Sequence, residues 1–199
     1  MSLLFKITYG LYLLSAEANG KCNACMINTV LQQTSSPEQV SITVNKQNFT
    51  TGLIENSRRF VINILSTDTP FDFIKNFGMQ SGANIDKFKN IETVSSATGI
   101  KTNKNNSVGF LEIEVTSQVD LGTHIMYVGN IVESFAGVGE PLTYAFYHSN
   151  IKPKPDEKPS NTNEEVWVCQ ICGYVHKGAM QDDFVCPICK HGKSDFVRK

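Results

Sequence analysis

The chain lacks most of what would mark a nucleic-acid or membrane protein. Its 199 residues carry 18 Lys and Arg against 19 Asp and Glu, a net charge of −1, so there is no basic field for a polyanion or an anionic bilayer. No apolar run approaches the roughly 20 residues that cross a bilayer as a helix. The opening stretch MSLLFKITYGLYLLSAEANG has neither a basic leader nor an unbroken apolar block, which argues against a secretory signal. Cysteine is scarce too. All six fall in C-x-x-C pairs and not in the scattered even set of a small disulfide scaffold, which points to thiolate ligands in a reducing compartment. These absences predict a soluble, cytoplasmic protein with no nucleic acid and no membrane among its partners. No internal repeat is visible, and no Ser–His–Asp or paired-carboxylate arrangement stands out.

A change of composition near residue 150 divides what is there. The stretch SNIKPKPDEKPSNTNEEV holds three prolines, four acidic side chains and three asparagines, too little apolar surface to offset its ordering entropy, so it reads as a tether. The predicted organisation is a body over 1–148, a flexible Pro-rich linker over 149–164 and a small module over 165–199. About 15 linker residues reach roughly 20–25 Å as a coil, or about 45 Å if extended.

The body reads as strands. FKITYGLYLLSAE, VSITVNK, FVINIL, VGFLEIEVTSQV and HIMYVGNIVES are rich in Val, Ile, Tyr, Phe and Thr, the residues that suit a pleated surface. Alternation across Phe110, Leu111, Glu112, Ile113, Glu114 and Val115 predicts glutamates facing water. Thr50 or Thr51 is placed to cap a helix over GLIENSRRF, and Thr69 with Pro70 to start one over FDFIKNFGM. Many strands with two short helices predict a mainly β fold, a closed antiparallel barrel.

The module carries the sharpest pattern. Cys169, Cys172, Cys186 and Cys189 form C-x2-C-x13-C-x2-C, the spacing of one tetrahedral four-thiolate metal site. A segment this short needs such a staple to fold. Zinc and iron both accept four thiolates, so the ligands alone leave the metal open. Cys22 and Cys25 form a further C-x-x-C with no second pair to complete a metal site.

In the stretch GKCNACMINTVLQQTSSPEQVSITVNKQNFTTGLIENSRRFVINIL, a polar NACMINT turn, a Ser-x-Pro, a strand ending VNKQNFT, a helix and FVINIL follow in order. With FGMQSGANIDKF and GTHIMYVGNIVES, this order resembles the flavin reductase-like proteins over roughly residues 1–148. The resemblance implies an FMN-binding split β-barrel and NAD(P)H as a possible co-substrate. FMN needs a cation and oriented donors for its phosphate and polar groups for its ring edge. Lys46, Asn48 and Thr50, at alternate positions round a strand end, are expected to face one phosphate. Asn23, Ala24, Cys25, Met26, Asn28 and Thr29 are expected at the ring edge, with Thr34, Ser35 and Asn45 as weaker candidates. On this reading Cys25 is a small flavin-site residue and Cys22 is incidental. His124 matches the family's histidine in G-x-H and is the one catalytic candidate.

WVCQICGYVH and DDFVCPICKHGKSDF, with Trp167, Tyr174, Phe184 and Phe196 nearby, resemble rubredoxin. The shortened stretch between the cysteine pairs is closer to the rubredoxin-like domain of rubrerythrins. That resemblance favours iron over zinc, with aromatic rings keeping water from the metal. The combination resembles high-molecular-weight rubredoxins. It implies a homodimeric relay from NAD(P)H or an upstream donor through FMN to iron, with a flavodiiron-type oxygen or nitric oxide reductase as acceptor. One alternative is a flavin reductase that releases reduced flavin and carries a structural zinc ribbon for docking; the other is a pure electron carrier that binds FMN, does not react with nicotinamide and is reduced by another protein.

Overall fold

The computed structural model describes residues 3–153, 165–170, 174–186 and 191–198. They fall into two compact units, one ending at Lys152 and the other beginning at Pro153.

The first unit is built on β1 (Tyr12–Ala18), β2 (Lys21–Ile27), β3 (Val30–Ser35), β4 (Glu38–Asn45), β5 (Arg59–Leu65), β8 (Ser107–Asp120) and β9 (His124–Ala136), with β6 (Thr93–Ser95) and β7 (Lys101–Asn103) as a separate hairpin. Helix α1 spans Phe49–Ser57 and α2 spans Phe71–Gly78. The seven-stranded sheet runs β2-β1-β5-β8-β9-β4-β3. Its two edge strands, β2 and β3, are consecutive in the chain with only Asn28 and Thr29 between them. The run 21–35 therefore joins one edge to the other and closes the sheet into a barrel. Thr29 pins that seam: its hydroxyl donates to the Thr43 carbonyl at 2.8 Å, and the Thr43 N–H donates to the Thr29 carbonyl at 3.3 Å.

Leu14, Ile42, Phe60, Ile62, Ile113 and Tyr127 fill the interior at 0% exposure, with Leu53 and Ile54 of α1 packed on them. Each such aliphatic or aromatic side chain contributes about 1.5–3 kcal/mol on burial. The outer face of β1, β2 and β5 is covered as well. Leu13, Ala24 and Leu65 pack there against Phe73, Ile74 and Phe77 of α2.

This double coverage explains where the sequence pattern misleads. The NACMINT stretch is strand β2 and not a turn, because alternate residues are buried on both faces and no polar–apolar alternation survives. The expected opening strand begins only at Tyr12. Leu3–Lys6 is a 3-10 turn, and Leu11 donates to the Leu142 carbonyl at 2.9 Å instead of extending β1. Asn48 caps α1, its side chain accepting from the Thr50 N–H at 3.2 Å, so neither threonine is the cap. Pro70 precedes α2 without a side-chain cap, and the Thr69 hydroxyl donates to the Ser66 carbonyl at 2.7 Å.

Glu112 does not face water. It is 0% exposed because the β6–β7 hairpin roofs this face of β8, and the Thr98 hydroxyl donates to its carboxylate. Glu114 is half exposed and pairs with Arg59 at 2.7 Å. Residues 149–151, expected in the linker, belong to a helical turn over Tyr147–Ile151, and Ile151 packs on the outer core.

The second unit is a three-stranded sheet of β10 (Val166–Cys169), β11 (Val175–Lys177) and β12 (Phe196–Arg198) with β10 in the middle. Most of the expected linker, 154–164, lies outside the described residues.

Candidate functional site

Strand β2 deals its candidate residues alternately to two faces. Asn23 and Cys25 point into the barrel at 2% and 3% exposure. There the Asn23 amide donates to the Thr50 hydroxyl at 2.8 Å. Ala24 and Met26 point to the other face, Ala24 into the outer core and Met26 against Gly78. What these residues share is the strand edge, since β2 pairs with β1 alone. An unpaired edge presents backbone donors and acceptors in register, and these suit the polar edge of a flat heterocycle.

Lys46, Asn48 and Thr50 do not face one point as expected. Thr50 is 0% exposed, turned inward to Asn23 because the first turn of α1 packs on β2. Lys46 and Asn48 instead line an open cleft of about 390 Å³ beside α1, together with Lys21, Phe49, Gly52 and Leu53. Lys46 pairs with Asp120 at 2.6 Å, and that contact with the Gly122 N–H holds the Asp120 carboxyl below its ordinary range. Such an exposed pair contributes little, so Lys46 is available to an anion with more oxygens to offer.

Asn45 and His124 meet across the β4–β9 ladder. The Asn45 side chain accepts from the Gln47 N–H at 2.8 Å, and the His124 ring lies 2.8 Å from the Thr123 hydroxyl. Asn28 and Thr29 sit at the barrel seam. Thr34 and Ser35 are exposed in the β3–β4 hairpin, opposite Gln39 and Glu38 at the far end of β4 from Asn45, and are not brought to the cleft.

Cys22 and Cys25 are three residues apart on one strand and so face opposite ways. Burial pushes the Cys22 thiol up to about 11 and raises Cys25 as well. Neither is a poised thiolate. The sequence gives no hint of Lys87, which is 3% exposed and donates to the carbonyls of Ala24 at 3.0 Å and Phe77 at 2.9 Å. In ANIDKFKN it reads as one more loop lysine.

In the second unit Cys169 is 1% and Cys186 0% exposed. Cys172 and Cys189 lie outside the described residues. The Cys169 N–H donates to the Tyr174 carbonyl at 2.9 Å and the Cys186 N–H to the His191 carbonyl at 2.8 Å, each five residues ahead. Val168 pairs with Val175, and Val185 bridges Gly192, each seven ahead. The described residues on either side of the two knuckles make the same bonds, and the matching trace in the sequence is V-C-x-I-C at 168–172 and 185–189. That short repeat is visible once the backbone bonds point to it.

Trp167, Tyr174, Phe184 and Phe196 surround the cysteines with Met180, and Phe184 meets Phe196 edge-on at 5.4 Å. Cys169 and Cys186, buried beneath aromatic rings, supply two of the four thiolates that a thiolate-loving metal needs. The β2 edge and the cleft with its lysines and apolar wall likewise fit a phosphorylated flavin, in the size range of ligand sites.

Residues 4–152 match the family model described as flavin reductase like domain, and residues 167–197 match that of the rubrerythrin, rubredoxin-like domain. The high molecular weight rubredoxin of Moorella thermoacetica is 31% identical, over 97% of this chain and 96% of that protein. The chain belongs to the flavin reductase-like family, as a high-molecular-weight rubredoxin. The ferric-chelate reductase (NAD(P)H) of Archaeoglobus fulgidus is 36% identical, over 75% of this chain and 89% of that protein. Among solved structures, an FMN-binding protein from Thermus thermophilus shares the fold with a TM-score of 0.64 at 18% identity, over 78% of this chain and 91% of that one.

Membership makes the chain an oxidoreductase with a mainly β split barrel, and its two domains support a flavin and an iron ion as cofactors. No helix among the described residues is long and apolar enough to cross a membrane.

Proposed function

We propose that the chain is a redox relay. Electrons pass from NAD(P)H or an upstream donor through FMN in the barrel to one iron in the four-cysteine site. From there they go to a terminal acceptor such as a flavodiiron-type oxygen or nitric oxide reductase. The observation that carries this reading is the joining, in one chain, of a flavin reductase-like unit and a rubredoxin-like unit built on two matched knuckles. The NAD(P)H in the name of the Archaeoglobus relative supports the donor.

A bound flavin supplies exchange between two-electron and one-electron chemistry. In this reading the protein's part is placement. Lys46 and Asn48, with Lys21 across the cleft, hold the phosphate. A single terminal phosphate suits that pair of lysines and favours FMN over FAD. The β2 edge takes the ring, and Asn23 and Thr50 keep β2 fixed on α1. Cys169, Cys172, Cys186 and Cys189 hold the iron.

A linker of this composition keeps the iron unit at an effective concentration approaching millimolar around the barrel. The resemblance to dimeric split-barrel flavoproteins supports a homodimer, and reduced thiolate ligands support a cytoplasmic setting.

The test is to replace Cys169→Ser or Cys186→Ser in the full chain. Reduction of FMN by its donor should persist while output to the acceptor is abolished; surviving output overturns the relay. A second reading is a flavin reductase that releases reduced flavin and carries structural zinc. It is favoured by the Archaeoglobus relative, whose alignment to the barrel covers 89% of that protein. Zinc in place of iron in the purified protein would select it.

A further inference from the structure

Lys87 is a buried amine that the relay does not use. It has 3% exposure, and its Nζ donates to the Ala24 carbonyl on β2 and to the Phe77 carbonyl in the last turn of α2. None of the ion pairs among the described residues involves it. The neighbouring Asp86 is exposed and accepts from the Phe88 N–H at 3.0 Å, so its carboxylate is engaged with its own loop.

An ammonium shut away from water without a carboxylate is costly. Two carbonyls, one at the negative end of a helix dipole, offset part of that cost and occupy two of its three N–H donors. The Ala24 carbonyl that it binds at 3.0 Å stands next to Cys25, in the part of β2 assigned above to the flavin ring. A buried cation at that strand is placed to act on a ring that changes charge.

We propose that Lys87 is the cation that stabilises the reduced flavin and so sets its potential from behind β2. The proposal rests on the flavin reading above. Hydride from a nicotinamide carries two electrons and one proton, so the reduced ring bears one more negative charge than the oxidised ring. The ammonium counters that charge without forming or breaking a bond.

The experiment measures dissociation constants of oxidised and reduced FMN, anaerobically, for the full iron-loaded chain and its Lys87→Met and Lys87→Arg variants. It also follows the flavin and iron potentials. Lys87→Met should weaken reduced FMN at least tenfold relative to oxidised FMN, a fall of about 30 mV for a two-electron couple. Lys87→Arg should stay within about threefold of wild type, and the iron potential should not move in either variant. If Lys87→Met does not fold, Lys87→Gln carries the same comparison. An unchanged ratio, or equal weakening of both redox forms, overturns the proposal and leaves the flavin reading standing. Failure of the wild type to bind FMN in either form overturns both.

Discussion

Thr50 shows how a residue of the candidate site does its work from inside the core. Its hydroxyl accepts from the buried Asn23 amide at 2.8 Å, and removing the acceptor strands that amide. Thr50→Val is expected to destabilise the barrel by about 1–3 kcal/mol, read as a lower urea midpoint at unchanged slope. Cys22 makes a pH prediction. Its thiol is raised from 9.0 to about 11, so its contribution to stability is full below pH 9 and is lost as the pH climbs through 11. The loss is at most about 1.4 kcal/mol per pH unit across that window. Cys22→Ser should flatten the alkaline limb of a stability–pH curve, and iodoacetamide at pH 8 should leave Cys22 unmodified in the native protein. The types of these residues were legible in the sequence, but the direction of each side chain was not. Asn, Thr and Lys suit turns, caps and ligands equally well, and only the packing of α1 on β2 turns Thr50 inward while leaving Lys46 at the cleft.

Helix α1 and the β6–β7 hairpin carry the predictions that belong to whole elements. Asn48→Ala removes the α1 cap and should cost about 1 kcal/mol, with FMN binding weakened because the cleft loses a polar wall. The hairpin is tied down by Glu112 and Glu133, which accept from the Thr98 and Ala97 N–H groups at 3.4 and 2.7 Å. Burial pushes the Glu112 carboxyl up, but the Thr98 hydroxyl and N–H together with Arg59 outweigh it and hold it below its ordinary value. A lowered folded value gives stability that is present above the unfolded value and lost as the pH falls through the folded one. Amide protection over 93–103 should therefore fall as the pH drops below the ordinary carboxyl range, and Glu112→Gln should lower it already at neutral pH. Strands with one dominant apolar face, such as VSITVNK, could be read from sequence. The strand hidden in NACMINT could not, because burial on both faces removes the period-2 signal. The buried Glu112 could not either, since its roof is the hairpin just before β8, and no local pattern shows that the hairpin folds back over that face.

At the scale of the molecule, the division into a barrel and a four-cysteine module is written in composition and spacing, because a proline-rich acidic stretch and paired C-x-x-C motifs are local features. The closing of the barrel on itself and the burial of Lys87 against Ala24 depend on contacts between distant residues and appear only in the fold, whereas the repeated knuckle is local, with bonds five residues apart. The two units together make one claim, that electrons received at the barrel leave through the iron. The most direct measurement is anaerobic rapid mixing of the intact, FMN- and iron-loaded chain with NADH or NADPH, following the flavin and iron absorption bands in the same trace. The account predicts that the flavin band bleaches first and the iron band follows without added mediator, and that Cys186→Ser keeps only the first phase. An iron band that stays oxidised while the flavin is fully reduced would contradict it.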